Sequence, residues 1–472
     1  MAGKFQHRTW VLIAVLLATF LSAMEGTIVS TAMPSITEDL QGLAYVNMTF
    51  SIYLLVAAIT TPIYGKLADM YGRKRVLMAA VLVFLIGSAL CGLAQSMGQL
   101  ILFRAVQALG AGAVLPLTST IIGDMYTTEE RTRMQALFSG VWAVSGVSGP
   151  LIGGFIVETI DWRWIFFINL PFGLLSLFIL FVAFREERVR RERMPIDWSG
   201  ALLFLLSISS LLYVLLFSVE EGASPLNVGL VALCLASFAL FLRVERHAAD
   251  PFFPMTIWKN RFIIVPNLYV FFAFAFIIAT TVYIPMWVQQ IHHGTPTQSG
   301  FALTFMTFGW PLGAILNARL IGRFGPWKVP VFGACLLVAC SAVMAMIQPG
   351  FPLYLFFVVM FFAGLSFGLT TTVLTIILQN AVEWEQRGVA MGSNALFSTM
   401  GQTIFIAVFG AVFNAATNHA ASVETMPHGI RIVFYCVLAV SAISCVVAFK
   451  LPKMTKEELF RDSVPQPQPA GH

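Results

Sequence analysis

Apolar runs of roughly 18–25 residues, each long enough to cross a bilayer as a helix, recur from Trp10 to Lys450 with short polar patches between them. Hydrocarbon offers no water to backbone N–H and C=O groups, so runs of this length must satisfy them internally as helices. Apolar residues make up 58% of the chain and charged residues 11%, against about 45–50% and about 25% in soluble domains. These values exclude a soluble protein. The pattern predicts an all-α integral membrane protein with fourteen spans, near 10–34, 45–66, 76–95, 99–122, 134–157, 164–184, 199–219, 226–243, 262–290, 299–321, 328–347, 352–379, 389–416 and 430–450. The first run follows Lys4 and Arg8 as a signal peptide would, but it continues through Ile28 and Val29 to Pro34, too long for a cleaved apolar region.

With the N-terminus inside, every Lys and Arg except Arg104, Arg163 and Arg431 falls on the cytoplasmic side. The positive-inside rule then places both termini in the cytoplasm. The net charge of +5 reports this topology and gives no indication of nucleic-acid binding. The six cysteines all lie in apolar stretches without metal-ligand spacing, where Cys behaves as a small hydrophobe. His292 and His293 have no acidic or Cys partner nearby in sequence, so no metal site is expected. The tail ends in a Pro/Gln repeat and is expected to be disordered.

Two charged inner loops, Arg185 to Asp197 and Arg243 to Arg261, bracket a helix pair. The expected organisation is a six-helix bundle over 1–184, an inserted pair with its loops over 185–261, a second six-helix bundle over 262–450, and a tail over 451–472. Duplicated bundles around a central site are a common transporter plan.

One carboxylate lies well inside a span: Glu25, in Met24-Glu-Gly-Thr-Ile-Val-Ser-Thr-Ala-Met-Pro34. An unpaired carboxylate in hydrocarbon is costly and the neutral acid is not, so Glu25 is suited to taking up and releasing a proton. Helix arithmetic, at about 1.5 Å per residue, sets Glu25 roughly 22 Å above the inner end of span one and Arg104 roughly 8 Å below the outer end of span four. Both fall at a similar level in the outer half. They can pair directly or through water, or Arg104 can snorkel to the interface.

The loop after span two reads Gly65-Lys-Leu-Ala-Asp69-Met-Tyr-Gly72-Arg73-Lys-Arg. Gly65 suits close helix approach, Gly72 suits a tight turn, and Asp69 is an anion among cations. The second half holds a worn copy, Ala318 to Lys328, in which Gly325 aligns with Gly72 and Gly322 replaces the acid. Span five carries Gly146, Gly149, Pro150, Gly153 and Gly154, with Gly146, Gly149 (or Pro150) and Gly153 at the spacing of one helical face. Span four carries Arg104-Ala-Val-Gln107, and Trp162 to Gly173 opens span six.

Together these stretches resemble the major facilitator superfamily, and within it the 14-helix drug:proton antiporter branch. The branch usually has Asp where Glu25 stands and Asn at Ser30. The resemblance implies a transporter rather than an enzyme, a fold of two six-helix bundles plus two inserted helices, and no cofactor beyond the proton gradient. It implies a monomer in the inner membrane of a bacterium. The function it implies is export of lipophilic compounds, cationic ones above all, in exchange for protons, a route to antibiotic resistance. Glu25 and Arg104 are the expected proton-coupling pair, Arg104 favouring the anion when close and the acid when distant. Gly65, Asp69, Gly72, Arg73 and Asp124 are the expected cytoplasmic latch. Gly146, Gly149, Pro150, Gly153 and Gly154 form the antiporter motif. Tyr53, Trp142, Asn267, Trp310 and Asn394 are aromatic or amide groups in spans of both halves, expected to wall a midplane cavity where aromatic faces attract cations. The rival reading is an uptake symporter for a small metabolite, against which the span-five motif argues.

Overall fold

In a computed structural model of the chain, residues 2–126, 128–184, 186, 198–221, 224–247, 260–382, 387–417 and 425–453 are described. The expected disordered tail, from 454 onward, lies outside them, as do most of the two charged inner loops. Among the described residues the regular structure is entirely helical: α1 (Ala2–Leu40), α2 (Val46–Tyr71), α3 (Arg73–Gly92), α4 (Met97–Met125), α5 (Thr128–Thr159), α6 (Trp164–Phe167), α7 (Asn169–Ala183), α8 (Trp198–Glu221), α9 (Pro225–His247), α10 (Arg261–Met286), α11 (Pro296–Phe324), α12 (Lys328–Ala345), α13 (Leu353–Asn380), α14 (Arg387–Ala416) and α15 (Met426–Phe449). Thirteen segments are long and apolar enough to span a membrane, with α6 and α7 forming one span, and α8 supplies a further segment with the shorter apolar stretch Leu202–Leu211. α1 runs past Pro34 to Leu40, beyond its expected end. Proline is tolerated inside membrane helices because neighbouring groups satisfy the carbonyl it frees.

The start of α1 and the end of α15 lie at one face, the terminal face. At that face Tyr126 donates to the Arg8 carbonyl, and Arg261, at the start of α10, donates to the Lys450 carbonyl.

The packing repeats. In the first half α1 packs on α5 and α7, α4 on α2 and α3, and α3 on α7; in the second, α10 packs on α14 and α15, α13 on α11 and α12, and α12 on α15. Matching α1 with α10, α2 with α11 and so on superposes the two sets. The same matching exchanges the contacts between halves, α2 with α14 and α5 with α11, as a two-fold axis would. The aligned glycines repeat as well. Gly72 ends α2 at φ +94° and Gly325 ends α11 at φ +90°, a left-handed turn that favours glycine. α8 and α9 pack on each other, and α8 leans on α2 and α14.

Bonds crossing between the halves seal the face away from the termini. Gln289 Nε2 donates to the Thr31 carbonyl (2.9 Å), Tyr283 to Asn47 Oδ1 (3.0 Å), and Thr297 to Glu158 Oε2 (2.7 Å). Nearer the terminal face a side chain at Gly140 would meet nothing within 4 Å among the described residues, and Trp142 is 45% exposed. The described bonds between the halves thus gather at the far face.

Within the second half, α11 and α13 touch backbone to backbone. A Cβ on Gly309 would stand 2.0 Å from the Phe361 carbonyl oxygen, and one on Gly368 2.1 Å from that of Trp310. Without a hydrophobic force between helices in lipid, such close packing is what holds them together. Gly309→Leu should therefore destabilise the detergent-purified protein by about 1–3 kcal/mol or more, read as a lower thermal unfolding midpoint. Gly392→Leu, with nothing within 4 Å, should leave that midpoint unchanged.

Candidate functional site

Glu25 on α1 is fully buried, and its Oε1 pairs directly with Arg104 Nη1 from α4, itself only 1% exposed. Of the arrangements open to the sequence, direct pairing is the one found. The same Nη1 donates to Gln107 Oε1 (2.8 Å), one turn along α4. The guanidinium lies over the Tyr53 ring, 4.0 Å from its centroid. The second carboxylate oxygen accepts from Asn169 Nδ2 (2.9 Å), at the start of α7. Asn169 Nδ2 also donates to Ser88 Oγ on α3 (2.9 Å), which donates in turn to the Phe166 carbonyl (2.8 Å). Cys91 Sγ donates to Gln107 Oε1 (3.8 Å). Helices α1, α2, α3, α4 and α7 thus converge on one dry charge pair.

Packing explains the convergence. A Cβ at Gly87 of α3 would stand 2.3 Å from the Gln107 backbone nitrogen, so α3 and α4 meet just where Ser88, Cys91, Arg104 and Gln107 project. Ile168 joins α6 to α7 with helical dihedrals (φ −60°, ψ −25°), and the Phe166 carbonyl just before it accepts from Ser88.

Asn169, Gln107 and Ser88 join the site without having been assigned to it from sequence. Their signal was available, since an amide or hydroxyl in an apolar span seeks a partner. What sequence does not give is which helix supplies that partner.

The expected cavity walls divide. Tyr53 is only 7% exposed and lies under Arg104, so its ring serves the charge pair instead of a midplane cavity. Asn267 and Asn394 lie in the second turns of α10 and α14, near the terminal face and away from the midplane. Asn394 Nδ2 donates to Asn267 Oδ1 (3.0 Å), and Asn267 Nδ2 donates to Ser393 (3.0 Å). Trp310 stacks on Phe367 at 5.2 Å and 20°. Trp142 alone among the five is substantially exposed.

The span-five glycines serve two neighbours instead of one face. A Cβ on Gly149 or Gly153 would collide with Thr27 (2.2 Å) or Thr31 (2.5 Å) of α1, the helix of Glu25. One on Gly146 or Gly154 would collide with Thr307 (2.5 Å) or the Pro296 carbonyl (2.6 Å) of the opposite half, and the Pro150 carbonyl packs on Gly300 of α11. α5 is wedged between α1 and the other bundle.

Of the expected latch, the side chains of Asp69 and Asp124 lie outside the described residues. Among the described residues nothing lies within 4 Å of a Cβ added at Gly65. Gly72 makes the expected turn, and a Cβ there would stand 2.8 Å from Glu186 Oε2. Glu186 fills that space. Its carboxylate accepts from the backbone N–H groups of Arg73 (2.6 Å) and Lys74 (3.1 Å), capping α3, where a helix N-terminus favours an anion. Lys74 Nζ reciprocates by donating to the Phe181 and Phe184 carbonyls at the end of α7 (2.8 and 2.6 Å).

Residues 15–406 match the family model of the Major Facilitator Superfamily. A multidrug transporter protein, MdtP, of Bacillus subtilis is 33% identical over 430 residues, covering 90% of this chain and 79% of its own. Multidrug resistance protein 3 of the same organism is 34% identical over 423 residues, covering 88% and 82%. Among solved structures, a bacterial homologue of the human lysosomal transporter Spinster, in an inward-facing and unoccupied conformation, has a TM-score of 0.68 at 16% identity, covering 98% of this chain and 99% of its own. A D-xylose–proton symporter has a TM-score of 0.66 at 14% identity, covering 95% and 98%. The fold, the span-by-span repeat and these relatives agree: the chain is a multi-pass membrane protein that belongs to the major facilitator superfamily, among its multidrug efflux transporters.

Proposed function

We propose that this transporter exports lipophilic compounds, cations among them, in exchange for protons, with Glu25 as the proton carrier and Arg104 as its counter-charge. The observation that carries the reading is the buried Glu25–Arg104 pair, the carboxylate fully buried and the guanidinium 1% exposed. An intramembrane carboxylate marks a functional site by default. A dry ion pair breaks readily only when one partner is neutralised. Proton uptake by Glu25 releases Arg104 electrostatically, and loss of the proton restores the pair.

In this reading the monomeric protein lies in the inner membrane of a bacterium with both termini cytoplasmic, following the Lys and Arg bias. The sealed face is then the outer one and the gap beside Trp142 opens inward, where a flat lipophilic compound meets an exposed aromatic ring. Arg73 and Gly72, with Asp69 and Asp124, act as the cytoplasmic latch, and the Glu186 cap belongs to the same device. Gly146, Gly149, Pro150, Gly153 and Gly154 let α5 pass motion between α1 and α11. No cofactor takes part. The proton gradient supplies about 1.4 kcal/mol per pH unit, and the membrane potential about 2.3 kcal/mol per 100 mV for each net charge moved.

In proteoliposomes with an imposed pH gradient, wild type should move protons out of the acidic lumen as a lipophilic dye cation enters. Glu25→Gln should still bind the dye and give at least a hundredfold less coupled proton flux, about 2.7 kcal/mol by the factor of ten per 1.36 kcal/mol. Coupled flux surviving in Glu25→Gln would move the carrier elsewhere. An uptake symporter would instead carry solute and proton in the same direction. A single carboxylate further predicts one proton per monovalent cation, so a clamped membrane potential should leave that flux unchanged. A flux that follows the potential would reject the one-proton exchange.

A further inference from the structure

The buried groups around Glu25 leave one acceptor unused. Ionised, the carboxylate has an attractive donor on each oxygen, Arg104 on Oε1 and Asn169 Nδ2 on Oε2. Protonation adds an O–H where donors already crowd, and a buried donor without an acceptor is costly. Gln107 Oε1 already accepts from Arg104 and Cys91, and Ser88 Oγ already accepts from Asn169 while donating to Phe166. Asn169 Oδ1, on a fully buried residue, has no hydrogen-bond partner among the described residues.

We propose that Asn169 is the positioning residue that lets Glu25 hold its proton in this dry site, its amide donating to the anion and, turned over, accepting from the acid. A half-turn of the amide puts Oδ1 where Nδ2 stands, 2.9 Å from Glu25 Oε2. The proton from solution then sits on Oε2 and is shared with Oδ1, and no other atom changes protonation. Arg104 is not left bare, because Gln107 Oε1 and the Tyr53 face, neither of which depends on the charge of Glu25, still hold it. Ser88 Oγ, 2.9 Å from the place Oδ1 now takes, turns its hydrogen from the Phe166 carbonyl to Oδ1, and Nδ2 takes the unpartnered place that Oδ1 has left, a smaller cost than two donors facing each other at Oε2. The charged or titratable groups facing Glu25 are Arg104 on α4, Tyr53 on α2 and Cys91 on α3. The adjoining spans of α5 and α7 carry no charged residue from Met134 to Val157 or from Trp164 to Phe184. Gln107 also hydrogen-bonds Glu25, but its Oε1 is committed to Arg104 and Cys91 and cannot turn to the acid without giving up both. The inference rests on Glu25 as proton carrier.

The test is infrared difference spectroscopy of the full-length protein in lipid, between pH values at which the carboxyl is neutral and ionised. Wild type should show a carboxylic-acid C=O band at the lowered frequency of a hydrogen-bonded acid, and Glu25→Gln should delete it. In Asn169→Leu and Asn169→Ala the band should move to the higher frequency of a free acid, and coupled exchange should fall about tenfold, as for one lost hydrogen bond between neutral groups. Asn169→Gln should restore both. General loosening would admit water and lower the frequency, the opposite direction. A band lost in Glu25→Gln but unmoved in both Asn169 variants overturns this inference alone. A band that persists in Glu25→Gln overturns the proton-carrier reading and this inference with it.

Discussion

Everything distinctive about this molecule turns on one ion pair buried at membrane depth. Two opposite charges in a dry site attract strongly, yet each has given up its hydration, so the pair is tolerable only with close geometry and further hydrogen bonds. Here those bonds come from Gln107, Asn169 and the Tyr53 ring. To deliver them, five helices of the first half must be held at fixed rotation. Gly87 against α4 and the Ser88 bond to the Phe166 carbonyl fix two of those rotations.

Among the described residues none of α10 to α15 contributes a bond to this site, so an effect of Glu25 on the other bundle passes through the packing. α5 is the physical connection. Gly149 seats it on Met24 and Thr27 of α1 and Gly153 on Ile28 and Thr31, and Gly146, Pro150 and Gly154 seat it on α11. With no side chains at those contacts, movement of one neighbour displaces α5 against the other. Packed interfaces of this kind switch between discrete arrangements more readily than they deform. At the terminal end, the reciprocal caps of Glu186 on α3 and Lys74 on α7 join two helices that carry Ser88 and Asn169 deeper in the membrane. The cap and the charge pair therefore share the same two rods.

Depth was legible in the sequence and direction was not. Counting residues from span ends placed Glu25 and Arg104 at one level, and they meet. The same arithmetic fixes Tyr53 beside Arg104 in depth, but only packing shows its ring turned beneath the guanidinium and away from a cavity. Span five illustrates the limit again. A three-and-four spacing defines a sector of a helix, and two different neighbours divide that sector between them. Asn169 lies more than a hundred residues from Glu25 in sequence, and no periodicity links them. The alignment of Gly325 with Gly72, in contrast, was readable because a left-handed helix end demands glycine in both halves. The same physical demand left the same mark twice.

The central claim is that substrate and proton compete through the state of Glu25, and proton release from purified protein tests it most directly. A weakly buffered detergent solution with a pH-indicator dye, titrated with a lipophilic cation, reports each proton that leaves as substrate binds. Wild type should release up to one proton per molecule bound, and Glu25→Gln should bind the same cation and release none. Release that persists in Glu25→Gln would contradict the account.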